Sequence, residues 1–300
     1  MDPRGEKIEV LTHGYVQLVD FMGDDKTIVN AARVSFGKNN NEPLSDKDKK
    51  LIYYLMHHRH TTPFEHVTLT FKVKVPMDTW RQWVRHRTAS INEYSTRYSE
   101  AIEDMETTPP DRWRRQSDVA RQGSMGYFTE EEGINLTEGE RELQEVARMI
   151  YKGRLAMGVA REQARKDLPL STYTEAYWTV NLHNLFHFLE LRLSDEAQPE
   201  IRSYAYALLN LVQRVCPIAV DAFTKLRLDN YKLNIFQAEV LSSVLKGIKV
   251  KASDVKSEFQ GMRDLSSYIV RDEEYLEIIA FLLDLGILDN DMEGTWQTEK

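Results

Sequence analysis

The stretch Val67-Thr68-Leu69-Thr70-Phe71-Lys72-Val73-Lys74-Val75 alternates an apolar residue with a threonine or lysine at every step. A period of two puts successive side chains on opposite faces, so the segment predicts a β-strand with one face in a core and the other toward water. Pro76 closes it, because proline has no N–H to give to a sheet ladder. Upstream, Ser45 with Asp48 three residues on makes a capping-box pattern. Leu51, Ile52, Leu55 and Met56 then sit one turn apart, which predicts a helix ending near His57 to His60. Downstream, Met77 to Val84 reads as a short helix running into a basic loop. Short β-type segments alternating with longer helical ones make the expected fold class α+β.

Further out, Gly14 to Phe21 reads as another strand, followed by Asp24 and Asp25 as helix-start residues and a helix through Ile28, Ala31 and Ala32. Ala101 to Gly139 is the most polar stretch and reads as surface loop with short irregular pieces. From Thr137, with Glu140 as box partner, a helix is expected through Leu143, Val146 and Ile150 to about Arg165, stopped by Pro169. Two more helices are expected at about Thr172 to Leu193 and Pro199 to Lys225. Beyond Tyr231 the pattern suggests amphipathic helices at Ile235 to Leu245 and Ser267 to Leu285, so the expected division is a domain at 1–231 and a helical extension at 232–300.

Composition narrows the function classes. The chain has 300 residues, 42% of them apolar, with 39 Lys+Arg against 47 Asp+Glu for a net charge of −8. That is globular rather than disordered composition, and net negative charge argues against a protein whose main task is gripping duplex DNA. Its one cysteine, Cys216, cannot form an internal disulfide or anchor a four-cysteine zinc site, which points to a reducing, cytoplasmic setting. No run of about 18 apolar residues occurs, so neither membrane insertion nor membrane crossing is expected.

Within this acidic chain, Arg81 to Arg97 holds four arginines against one acid, a local charge of +3. On arginine count alone the bland reading, a solvated basic turn, competes with an anion-binding loop. The order of residues is more specific. In Arg85-His86-Arg87-Thr88-Ala89-Ser90-Ile91-Asn92-Glu93-Tyr94-Ser95-Thr96-Arg97, neutral donors stand between guanidiniums, an arrangement suited to phosphate oxygens.

This string resembles the signature of the flavin-dependent thymidylate synthases, with Arg85, His86, Arg87, Ser90, Asn92, Glu93, Ser95 and Arg97 filling every fixed place. The flanks agree: His60-Thr61-Thr62-Pro63-Phe64-Glu65-His66 is similar to the family's upstream flavin segment. Leu168-Pro169-Leu170, Tyr177 to Asn181 and Leu191-Arg192 are similar to a downstream block. The resemblance covers roughly Glu9 to Tyr231. It implies an α+β fold with a central antiparallel sheet and long helices, working as a homotetramer whose active sites form at subunit interfaces. The implied reaction is reductive methylation of dUMP to dTMP, with 5,10-methylenetetrahydrofolate as carbon donor and NADPH as reductant through bound FAD.

Residue by residue, the resemblance implies FAD contacts from His60, Thr62, Glu65, Arg85, His86, Arg87, Glu93, Asn181, His183 and His187. It implies dUMP contacts from Gln82, Arg85, Glu93, Ser95, Thr96, Arg97, Arg165 and Arg192, with Arg165 and Arg192 at the uracil as the catalytic pair. Many members carry Arg and Asn where this chain has His183 and His187, a swap that keeps hydrogen-bonding capacity but makes the local charge pH-sensitive. Cys216 reads as a buried structural thiol rather than a nucleophile.

Two rival readings come from the residues themselves. A metal-dependent nucleotide phosphohydrolase would use His183, His187 and Glu190, spaced on one helix face, but Asn184 stands where zinc proteases place a glutamate after the first histidine. A single-strand binder would pair the arginines with Trp80, Trp83 and Tyr94 as stacking platforms, against the acidic total. The expectation is therefore no metal, no nucleic acid and no membrane partner.

Overall fold

The structure is a computed structural model that describes residues 2–37, 42–118, 123–228, 250–251, 282 and 288–289. The chain divides into two compact units, Met1–Leu228 and Asp229–Lys300. In the second unit a two-residue parallel pair joins Val250–Lys251 to Leu288–Asp289. The helices expected at 235–245 and 267–285 lie outside the described residues, apart from helical Leu282.

The first unit is built on a five-stranded antiparallel sheet of β1 (Lys7–Val10), β2 (Gly14–Met22), β3 (Thr68–Pro76), β4 (Ser90–Glu93) and β7 (Tyr173–Asn181), in the order β1-β2-β3-β7-β4. The alternating segment is β3, flanked by β2 and β7, and its Leu69, Phe71, Val73 and Val75 are fully buried. Its other face is tied across strands: Lys72 pairs with Glu175 at 3.0 Å, and Thr70 shares a 3.0 Å hydrogen bond with Thr179.

Helix α1 (Asp25–Arg33) opens on a capping box formed by Asp24 and Thr27. Helix α2 (Asp46–His57) starts at the expected box, with Ser45 Oγ accepting from the Asp48 N–H and Asp48 accepting from the Ser45 N–H. A single turn, α3 (Thr62–Glu65), then leads into β3. After β3 come α4 (Met77–Trp83) and, inside what the sequence suggested was only a basic loop, the short edge strand β4. A second small sheet pairs β5 (Arg114–Gln116) with β6 (Ser124–Tyr127). The core gathers around Trp83 of α4, whose ring lies 5.2 Å from Trp178, 5.0 Å from Phe188 and 5.8 Å from Tyr204.

Three sequence-based expectations are corrected. The segment from Thr172 is not a helix until Leu182: Tyr173–Asn181 is β7, with Thr174, Ala176, Trp178 and Val180 buried at a period of two, and only then does α7 (Leu182–Arg192) begin, N-capped by Asn181. The expected helix from Thr137 begins earlier, at Glu130, with a Thr129/Glu132 box, and ends at Ala156 as α5 (Glu130–Ala156), before Gly158 in the left-handed region. Thr137 and Glu140 are turned inward instead, Thr137 Oγ1 donating to the Thr108 carbonyl and Glu140 accepting the Thr108 N–H. Arg165 belongs to a separate turn after α6 (Arg161–Ala164). Pro217 divides the third expected helix into α8 (Pro199–Val215) and α9 (Pro217–Phe223), joined at Cys216.

Candidate functional site

The motif forms a turn hung on the sheet edge. β4 pairs with β7 from Ser90↔Thr179 to Glu93↔Ala176, and the ladder continues as the Tyr94 N–H donates to the Glu175 carbonyl at 2.7 Å. The chain then folds over itself, Tyr98 and Ser99 both donating to the Ser95 carbonyl at 3.1 Å, which presents Ser95, Thr96 and Arg97 on a bend. Glu93 is held from two sides: Trp80 Nε1 donates to one oxygen at 3.0 Å and Thr174 Oγ1 to the other at 2.9 Å.

This bend walls a cavity of about 660 Å³ whose lining includes Glu93, Ser95, Thr96, Arg97, Arg165 and Thr174. Its volume falls in the ~300–1,000 Å³ range of small-molecule sites. Arg81 and Lys166 add cations and Glu162 an acid, the latter 3.3 Å from Arg97. Arg165 donates to Thr96 Oγ1, so residues far apart in sequence meet at one wall. Four cations against two carboxylates make the cavity an anion site.

A second cluster lies at the C-terminal end of α4. Arg192, from the last turn of α7, donates from Nε to His86 Nε2 at 3.1 Å and from Nη2 to the Gln82 carbonyl at 3.2 Å. Burial, then the Arg192 charge, then His187 push the half-buried His86 imidazole down to about 4. His86 is therefore neutral at pH 7, accepting on Nε2 and leaving Nδ1–H as a donor. Burial also lowers the Arg192 pKa, but a guanidinium stays charged. The Gln82 side chain donates to Gln198 Oε1 at 2.5 Å. Arg192 is not among the residues lining the 660 Å³ cavity, so the two arginines expected at the uracil stand in different clusters, Arg165 at that cavity and Arg192 with His86 and Gln82.

A third group forms a cleft of about 70 Å³ lined by His60, His183 and His187, with Phe64, Phe186 and Phe223 as its apolar floor. Phe186 and Phe223 stack at 4.3 Å and 10°. The donor set and the aromatic side chains suit a planar heteroaromatic cofactor, although about 70 Å³ would hold only part of one. Arg85, Arg87, Thr62 and Glu65 are exposed, and Asn181 caps α7.

The metal reading gains no support. Glu190 accepts from Arg227 at 2.7 Å, and among the described residues no three His, Cys, Asp or Glu side chains are grouped to hold a metal ion. Among those residues no helix is long and apolar enough to cross a membrane. Cys216 is fully buried and burial pushes its thiol up, so it is not poised as a nucleophile. A further cavity of about 550 Å³ is lined by four carboxylates, Asp78, Glu106, Glu140 and Glu200, against Arg112 and Arg114, with Arg114 paired to Glu200 at 3.0 Å, so its excess charge is negative.

Sequence reading did not place Glu162, Lys166 or Thr174 at the 660 Å³ cavity, and Arg81 entered it only as part of the +3 run. Thr174 was hidden by the helix expected there, whereas Glu162, one turn before Arg165, had a usable i,i+3 signal.

A central antiparallel sheet whose edge strand β4 lies within an ordered arginine motif, with a cationic cavity at the bend that follows it, defines a class. The chain belongs to the family described as thymidylate synthase complementing protein, which matches residues 17–218. Among curated relatives, the flavin-dependent thymidylate synthase of one Thermus thermophilus strain is 48% identical over 238 residues, covering 79% of this chain and 86% of its own. That of Wolbachia pipientis wMel is 40% identical over 245 residues, covering 82% and 86%. Among solved structures, a UMP/dUMP methylase, PolB from Streptomyces cacaoi, bound with 5-Br dUMP, matches with a TM-score of 0.65 and 34% identity, covering 73% of this chain and 98% of that one.

Proposed function

We propose that the chain is a flavin-dependent thymidylate synthase converting dUMP to dTMP, with FAD as its flavin, 5,10-methylenetetrahydrofolate as carbon donor and NADPH as reductant. The single observation that carries the substrate assignment is the cationic cavity that Arg97 and Arg165 share with Ser95, Thr96 and Glu93. Arg97 and Ser95 suit the phosphate, as fixed donors around an anion. Glu93, an acceptor anchored by Trp80 and Thr174, suits the single free hydroxyl of the deoxyribose, the 3′-OH, since a carboxylate would repel phosphate. Ser95 Oγ accepts the Arg97 N–H at 3.4 Å and sits among guanidiniums rather than beside a base, which argues for a donor and against an alkoxide nucleophile.

Methylation at C5 of uracil needs electron density there, which appears as the O4–C4–C5 system becomes enolate-like. Arg165 and Arg192, permanently charged, would stabilise that negative charge where it develops. Flavin, when bound, supplies the reducing equivalents that the methylene needs to become a methyl group. His60, Thr62, Glu65, Arg85, His86, Arg87, Glu93, Asn181, His183 and His187 are its proposed holders, with His86 donating from Nδ1 as a neutral imidazole.

Because the Arg165 and Arg192 clusters are separate in one chain, we assign the active site to the junction of copies in a homotetramer. In support, α5 and its C-cap expose Leu136, Leu143, Ile150 and Met157 at seven-residue spacing. Residues 1–231 are the proposed catalytic domain, with 232–300 an extension outside it and the cytoplasm as the setting. The test is incubation of purified protein with FAD, dUMP, methylenetetrahydrofolate and NADPH: dTMP is expected, and a colourless protein forming none overturns the reading.

A further inference from the structure

Two cations stand at the aromatic cleft beside His60, His183 and His187 that the motif does not account for, Arg59 and Arg227. Arg59 sits at φ 56, and only it and Leu11 have positive φ among the described non-glycine residues. It closes α2 in a hydrogen-bond pattern usually built on glycine: the His60 N–H reaches the Leu55 carbonyl at 2.9 Å and the Arg59 N–H the Met56 carbonyl at 3.3 Å. Glycine would adopt this backbone without strain, so the fold gives no reason for arginine here, and strain of this kind points to a role for the side chain.

Arg227 comes from the turn after α9, beyond the end of the family match at residue 218. Its Nη2 is held by Glu190, which stands on α7 one turn beyond His187, and its Nε is buried without a hydrogen-bond partner among the described residues. The one carboxylate lining the cleft is thus occupied, while two guanidiniums and three imidazoles face a floor of three phenylalanines. Cations around an apolar floor suit a flat aromatic ligand that carries negative charge.

We propose that Arg59 and Arg227 are flavin-binding cations of this chain, holding an anionic part of the cofactor. That part is either its diphosphate or the ring edge that becomes negative on reduction. The assignment rests on the reading that this cleft receives the flavin. It also explains why a glycine-type turn carries arginine and why Arg227 is fixed by a partner on α7.

The test uses the full-length protein, loaded with FAD and stripped of it, carrying Arg59→Gly, Arg227→Met or His183→Ala. Relief of the left-handed strain should raise the Tm of stripped Arg59→Gly by about 2–4 °C. The same variant should bind FAD about tenfold more weakly by fluorescence quenching, and Arg227→Met should lose a similar factor. A stability gain paired with an affinity loss is not what a structural role would give. If the bound part is the ring edge, the midpoint potential of bound flavin falls in both variants. If it is the diphosphate, affinity falls with the potential unchanged. Unaltered FAD affinity in both arginine variants, with weakened binding in His183→Ala, overturns the proposal alone. Unaltered affinity in all three overturns the placement of flavin in this cleft as well.

Discussion

Replacing Arg192 with methionine removes the guanidinium while keeping much of the side-chain stem, and its first effect should fall on His86. Arg192 Nε donates to His86 Nε2 at 3.1 Å, and the imidazole is pushed down to about 4 by burial first and by Arg192 second. A fall from 6.5 to about 4 is worth ~3 kcal/mol between protonation states. Because the ring is only half buried, water screens part of that, leaving about 1–2 kcal/mol. Since burial, the larger cause, remains in the variant, the His86 pKa should rise from about 4 and stop short of 6.5.

The assay is a titration of histidine Cε1 resonances by NMR over about pH 4–8, with His86 assigned by substitution. The folded pKa lies below the unfolded one, so the unfolded chain binds the extra proton between 6.5 and about 4, and stability is lost as pH falls through that window. The variant should lose less Tm than the native chain over the same interval. Turnover should disappear while the protein stays folded and holds flavin. An unchanged His86 pKa would refute the Arg192–His86 contact, and a full return to 6.5 would refute burial as the larger cause.

Other outcomes are equally specific. Ser95→Ala should raise the Kd for dUMP about tenfold and leave measurable turnover; lost turnover with intact binding would mark Ser95 as a reacting group instead. Asp25, pushed up to about 6 by burial, accepts the Ile218 and Ala219 N–H groups at 2.9 Å at the start of α9. Asp25→Ala should cost about 1–3 kcal/mol in urea unfolding, because two donors lose their partner. Its raised pKa means that the native chain loses stability as pH rises from 3.8 to about 6, a slope that Asp25→Asn should remove. Gly14→Ala would drive a Cβ into Tyr204 Oη and to 2.7 Å from the Val10 carbonyl, displacing the Tyr204 hydrogen bond to Lys74 at 2.8 Å. The expected loss is about 1–3 kcal/mol, read from the denaturation midpoint.

Much of the fold was legible where a local signal was unambiguous. The alternation of β3 and the Ser45/Asp48 box are local properties, and the structure contains both. β7 was not legible: Tyr173–Asn181 passes into α7 with no glycine or proline between them, and its extended form is set by pairing with β3 on one side and β4 on the other. Thr137 illustrates the same limit, since a box-like pair was drawn instead to Thr108 and Trp113 by tertiary hydrogen bonds. At the site, the motif's spacing was readable in full, but Glu93 gains its fixed position from Trp80 and Thr174, which no spacing rule connects.

By itself the sequence determined the inventory of chemistry: an ordered run of guanidiniums and hydroxyls suited to phosphate, a single thiol, and the periodicities that build an α+β fold. Covalent order is enough for these, because periodicity and donor type are local. Only the tertiary structure decided which groups meet and how they ionise. It joined Arg165 to Thr96, kept Arg192 with His86 in a separate cluster, held the His86 imidazole neutral and sealed Cys216 in the core. Proximity and removal of water are products of packing, and they turn an arginine-rich acidic chain into one with a shaped anion site.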